Sequence, residues 1–450
     1  MKGGTAIAWA CWVGLGCGPG VSAGADATAG ADTAPQADAT APVDTMPAAD
    51  ASAADTTVAA DTTSAVDSTV AADTTPADAV TSTPLRDKAR ALAEHLTGRG
   101  DFMVGLGNDN DGPWADQVPL DLHYAYLVGY GGSGGWPDWN AGGDYPVFFA
   151  QTALEHGATP MYTYYQLALE LENGADAVLG DSAKMGRYLA DVRLLYTKLA
   201  ALDRPAVVGF EPDFFGYLMQ RAASGSPPED IVARIHVDAA GECADLPETV
   251  VGLTRCVIRM ARALAPKLRV GFHASMWGAW YDVLDPSADV EASGRAVGDF
   301  LKRLGGDEAD FVGVETLDRD AGFWETSGGG ASCSLHDGSR GPVYWDADNV
   351  TLPNFAQHLR WVSALTATLG VPALWWQTPL GVPADSCGGS DEHWRDNRVS
   401  YFFSHVADLV AAGGAGMTFG TGAGGQTHLG TDDGQFKRAA VAYRAAPFHL

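Results

Sequence analysis

Two segments of this 450-residue chain end in a carboxylate in the same way. Val207-Val-Gly-Phe-Glu211-Pro-Asp213 and Phe311-Val-Gly-Val-Glu315-Thr-Leu-Asp318 each run through apolar residues, a Gly and one more apolar residue into a Glu. A Glu that follows a buried run costs desolvation free energy unless it is paired or used. Such surroundings raise the pKa of one carboxyl and leave another ionised, which is what acid/base cleavage of a glycosidic bond requires. In that chemistry Glu211 protonates the bridging oxygen, and Glu315 attacks the anomeric carbon or activates water. Asp109, Asp213 and Asp318 stand in reserve. The alternative is two structural carboxylates, each bonded to a neighbouring Arg, Tyr or His.

Aromatic residues gather near the same places. Of 13 Trp, ten (114, 136, 139, 277, 280, 324, 345, 375, 376 and 394) fall at expected strand ends or in the loops that follow. A group placed so suggests stacking platforms for the apolar faces of sugar rings. Trp277 and Trp376 are the strand-end members. His123, Tyr165, Gln166, His273 and Gln377, with Asp109, Asp213 and Asp318, complete the expected sugar-binding set.

These residues need a frame that brings distant segments together. From Leu85 onward, apolar runs of strand length recur at 102–107, 120–128, 159–167, 206–210, 268–273, 311–315, 373–376 and 415–419. Amphipathic stretches separate them at 145–156, 184–202, 250–264, 295–304, 354–369 and 398–411, with a leading helix at 84–99 and a final one at 435–445. Met185, Leu189, Val192, Leu195 and Tyr196 show the helical spacing of one buried face. Between the first two strands only a loop, 108–119, is legible, so the first helix is expected to be lost or very short. Eight such units in order predict an α/β fold, a (β/α)8 TIM-type barrel over 84–450. An open doubly wound sheet is the rival. It would carry a Gly-rich phosphate turn after its first strand, where this chain places acids, Asn108-Asp-Asn-Asp111. In a barrel the C-terminal strand ends form the mouth, so all the residues above would meet there.

The Glu211-Pro212 step at the end of strand four resembles the Asn-Glu-Pro acid/base motif of clan A glycoside hydrolases, which are (β/α)8 barrels. The resemblance implies an acid/base role for Glu211 alone. Phe210 replaces the Asn, and Leu374-Trp-Trp-Gln377 offers Gln where that clan carries its nucleophilic Glu. Glu315 is therefore the expected second carboxylate, and strands four and six are paired in other sugar-cleaving barrels. A non-catalytic carbohydrate-binding barrel, a relative that lost its strand-seven Glu, is the second reading.

Before the barrel, Lys2 and the short apolar stretch from Thr5 to Leu15 read as an export signal. Leu15-Gly16-Cys17 resembles a bacterial lipobox, although its Leu lies two rather than three residues before the Cys. It implies lipidation at Cys17 and a membrane anchor, with a cell-envelope or secreted location. Residues 18–83 are nearly all Ala, Asp, Thr, Pro, Val, Ser and Gly, with Asp recurring about every six residues. Such a stretch cannot repay its ordering entropy and is expected to be an extended linker. The four remaining Cys allow three pairings. The short loop favours Cys243–Cys256, which leaves Cys333–Cys387.

Charge narrows the partners. The chain has 28 Lys and Arg against 56 Asp and Glu, a net charge of −28. Nucleic acid is excluded as a partner by that balance, and a neutral or cationic saccharide suits it better than an anionic polymer. No His-x-His follows strand one, no Gly-x-Ser-x-Gly occurs, and the Asp109-x-Asp111 loop has Gly107 and Val118 at two calcium-ligand positions. No metal or cofactor is expected, and the barrel is expected to act as a monomer.

Overall fold

The structure is a computed structural model that describes residues 83–107, 112–172, 177–223, 227–237, 241–316, 345–381, 396–422 and 426–450. The expected linker up to residue 82, Cys17, Asp109, Asp318, Trp324, Cys333, Cys387 and Trp394 lie outside them.

Eight parallel strands close into a barrel in chain order. They are β1 Met103–Gly107, β2 Leu122–Val128, β3 Thr159–Tyr165, β4 Ala206–Phe210, β5 Leu268–His273, β6 Phe311–Val314, β7 Ala373–Thr378 and β8 Gly414–Phe419. β1 closes on β8 from Met103↔Gly416 to Leu106↔Phe419. The strands are almost entirely buried, as a sheet flanked by helices on one side and a filled interior on the other requires.

Helix ends follow capping chemistry. Pro84–Thr97 starts at a Pro behind Thr83, whose hydroxyl accepts from the Arg86 amide, and stops at left-handed Gly98. Asp181 caps Ser182–Ala201 and Asp289 caps Val290–Arg303, so both helices begin earlier than their apolar periodicity indicates. The expected helix 398–411 is two, Arg398–Ser404 and Val406–Ala411. The Ser404 hydroxyl bonds back to the Ser400 and Tyr401 carbonyls at this break. The first crossover, expected to have lost its helix or to keep a very short one, carries the four-residue helix Gly112–Ala115. Cys243 and Cys256 form a disulfide with Cα atoms 5.3 Å apart, the local pairing that the sequence favoured.

The interior is carved by glycines opposite large side chains. His273 of β5 lies between the neighbouring strands. A Cβ on Gly209 of β4 would stand 2.6 Å from its Nε2, and one on Gly313 of β6 would stand 2.7 Å from its Nδ1. The glycines of the two parallel Gly-x-Glu segments therefore make room for one imidazole.

Gly313→Ala is expected to destabilise the chain by about 1–3 kcal/mol, because the buried ring cannot withdraw. Urea unfolding of the full chain measures this; an unchanged midpoint would mean that the ring is not confined.

Candidate functional site

Side-chain alternation decides which strand residues reach the mouth. On β2, Tyr124 and Tyr126 face inward, towards Trp376. His123, the residue before Tyr124, faces outward. Its ring packs on Phe149 and against Trp114 in the helix layer. Burial above all, then His156, lowers its pKa to about 4. His123 is thus a buried core residue, and its expected place in the sugar site is corrected. The same holds for three expected platforms: Trp136, Trp345 and Trp375 are fully buried. Trp375 donates to His358 at 2.8 Å, outside the barrel. Trp277 packs edge-on to Tyr217, while Trp280 is 63% exposed on a left-handed backbone.

The inward residues converge on Tyr126. Its hydroxyl donates to Gln377 Oε1. Its ring meets Tyr165 and Trp376 edge-on. Burial first, then Tyr124, Asp213, Tyr165 and Glu315, raises the Tyr126 phenol well above its ordinary range. Asp213 of the β4 loop and Glu315 at the end of β6 are thus both among the charges that this hydroxyl feels. The Tyr165 hydroxyl donates to Asp213 Oδ2 at 3.4 Å. Beneath them the His273 and Trp376 rings meet edge-on, 4.5 Å apart. Burial lowers His273 to about 3, so its imidazole is neutral and can donate and accept at once. His273 Nε2, Trp376 Nε1 and Thr163 Oγ1 are buried without a hydrogen-bond partner. Such groups cost about 1–3 kcal/mol each unless something polar meets them. They suit a hydroxyl-rich ligand.

Gln377 owes its place to an irregular edge. Its backbone is left-handed (φ 49°), and the β7–β8 register shifts between Trp375 and Thr378. The bulge turns both Trp376 and Gln377 towards the mouth.

Glu211 is held differently. It and Asp213 are left-handed, with φ of 57° and 67° on either side of Pro212. The amides of Gln166, Leu167 and Ala168 donate to Glu211 Oε2 at 3.1, 2.9 and 3.3 Å. The carboxylate therefore caps the first turn of helix Leu167–Glu172. It is 1% exposed. Burial raises its pKa to about 7 despite the three amides and Tyr188, which pull the other way. Gln166 lies in the same turn, its side chain buried without a hydrogen-bond partner.

No family model matches the chain, and no curated protein matches it. Among solved structures, a beta-glucosidase is similar at 13% identity and TM-score 0.41, over 75% of this chain and 87% of its own. A GH26 beta-mannanase from Bacteroides ovatus is similar at 10% identity and TM-score 0.42, over 81% and 94%. A GH18 chitinase from Pseudoalteromonas aurantia is similar at 10% identity and TM-score 0.40, over 76% and 99%. Likeness at this level says nothing about substrate, and the chemistry rests on the residues themselves.

Two features escaped the sequence reading. Tyr126 is the hub, and the alternation that puts it inside puts His123 outside. Arg398 is fully buried on Asp396, 3.2 Å away, and over the Trp345 ring at 5.3 Å. Its Nη1 donates to Thr316, the residue after Glu315, at 3.2 Å. That pair ties the end of β6 to the segment after β7. Among the described residues no three His, Cys, Asp or Glu are grouped to hold a metal ion.

The Glu211 carboxyl keeps its proton up to about 7 when folded, against 4.5 ordinarily. Folding thus takes up a proton between those values, and the Glu211 contribution to stability falls as pH rises from 5 to 8. Glu211→Gln keeps an accepting oxygen and cannot titrate, so its stability should fall by roughly 3 kcal/mol less over that range. Thermal unfolding of both proteins at pH 5 and 8 is the measurement, and parallel slopes would contradict the assignment.

Proposed function

We propose that this chain is a glycoside hydrolase that cleaves a neutral or cationic oligo- or polysaccharide by two-carboxylate catalysis. What supports the reading is that Tyr126, bonded to Gln377, feels the charges of both Asp213 and Glu315, that Tyr165 donates to Asp213, and that the adjoining His273 and Trp376 rings carry unpartnered polar atoms. A half-buried Glu315 at the end of β6 suits attack on an anomeric carbon or activation of water. Its partner comes from the Glu211-Pro212-Asp213 turn. Tyr165, His273 and Gln377 bond sugar hydroxyls, and Trp376 and Trp277 meet the ring faces. The net charge of −28 disfavours an anionic polymer. We further propose, from the sequence, that the protein is exported, anchored by lipid at Cys17 or else secreted, and that it acts as a monomer.

A second reading has its own support. Gln377 stands where clan A enzymes keep their nucleophile and is engaged by Tyr126, and Glu211 is spent on a helix cap. Both suit a barrel that binds saccharide without cutting it.

A panel of neutral and amino-sugar polysaccharides, scored for released reducing ends, separates the two. Wild type is expected to cleave at least one. Glu315→Gln should lose at least about a hundredfold in turnover while still binding that polymer in affinity electrophoresis. Binding without cleavage by wild type favours the second reading, and full activity in the variant removes Glu315 from the mechanism.

A further inference from the structure

Resting on the hydrolase reading, we propose that Asp213, rather than Glu211, is the proton donor to the leaving group. The two acids stand either side of Pro212, and the left-handed backbone at both sends their side chains to different surroundings.

Glu211 goes to the β3 turn. One of its oxygens is taken by three amides, and almost none of its surface is open. Its other oxygen, Oε1, is buried without a hydrogen-bond partner, so a glycosidic oxygen could meet it only by displacing the residues that cover it. Asp213 goes to the mouth. It is half-buried and meets the hydroxyl of Tyr165, an inward residue of β3. It also acts on Tyr126, on which Glu315 acts from β6. β5 lies between β4 and β6, so the two acids reach the mouth from strands flanking His273. A sugar unit resting on Trp376 would then have one carboxyl on either side.

The step balances with water alone. The C1–O bond breaks, its electron pair stays on the departing oxygen, and that oxygen takes the proton from Asp213. Glu315 supplies the compensating pair to C1, directly or through a water whose proton it accepts. One water is added across the bond overall, and exchange with solvent restores both acids.

A general acid matters most when the leaving group is a poor one. The test therefore pairs the polysaccharide that wild type cleaves with the dinitrophenyl glycoside of its sugar, whose leaving group needs no proton. Asn accepts a left-handed backbone well, so Asp213→Asn should keep the fold; circular dichroism checks this, and Asp213→Ser gives a second variant. Asp213→Asn is expected to lose about 10²–10⁴-fold on the polymer and less than about tenfold on the activated glycoside. Its polymer pH profile should also lose its alkaline limb. Glu211→Gln should slow both substrates to a similar degree, as a residue that positions the turn.

The inference is overturned if the leaving-group-dependent loss belongs to Glu211→Gln and not to Asp213→Asn, or if Asp213→Asn slows both substrates equally. In either case the hydrolase reading stands, provided Glu315→Gln remains inactive. A wild type inactive on the whole panel overturns both.

Discussion

Much of the mouth depends on how β4 ends. Phe210 is the last regular strand residue, and the chain then takes two left-handed steps around Pro212. Non-glycine residues pay for that conformation, so something must hold it. The Glu211 carboxylate does, by gathering three amides of the next turn along the barrel rim. A carboxylate that accepts several amides from the start of a helix is well stabilised as an anion, yet burial here outweighs them and favours the proton. The tie between β3 and β4 is thus bought with the solvation of one acid, and it presents the next acid, Asp213, to the opening.

A second constraint lies one layer lower. The His273 imidazole occupies space that Gly209 and Gly313 leave empty. With Trp376 it makes a floor that is polar at a few points and aromatic elsewhere. The end of β6 is fixed from behind by Arg398, whose charge is balanced by Asp396 in a site closed to water. Buried pairs of this kind contribute little net stability, but breaking one strands a charge, so they fix geometry. Here the geometry fixed is that of the residue beside Glu315.

The sequence was clear about elements and less so about direction. All eight strands fall within a few residues of their apolar runs, because a barrel strand is buried on both sides and bounded by polar loops. The parallel Gly-x-Glu segments do end β4 and β6, and their glycines make room for His273. What failed was parity: a shift of one residue sends a side chain to the opposite face, and nothing near His123 says which face it takes. Tryptophan count also misled, since an indole at a strand end fills the helix layer as readily as the rim, as Trp345 and Trp375 do. The distinction between Glu211 and Asp213 was beyond reach, because it turns on backbone handedness at two adjacent bends.

The bulge in β7 has a mechanical side. Where Trp376 and Gln377 turn inward, the β7–β8 ladder loses its even register, and the Thr418 hydroxyl, 2.9 Å from the Trp375 carbonyl, provides a stitch across it. Every other pair of neighbours in the ring runs in unbroken step. Trp376 and Gln377 thus share one irregular seam, so any local opening there displaces both mouth residues together.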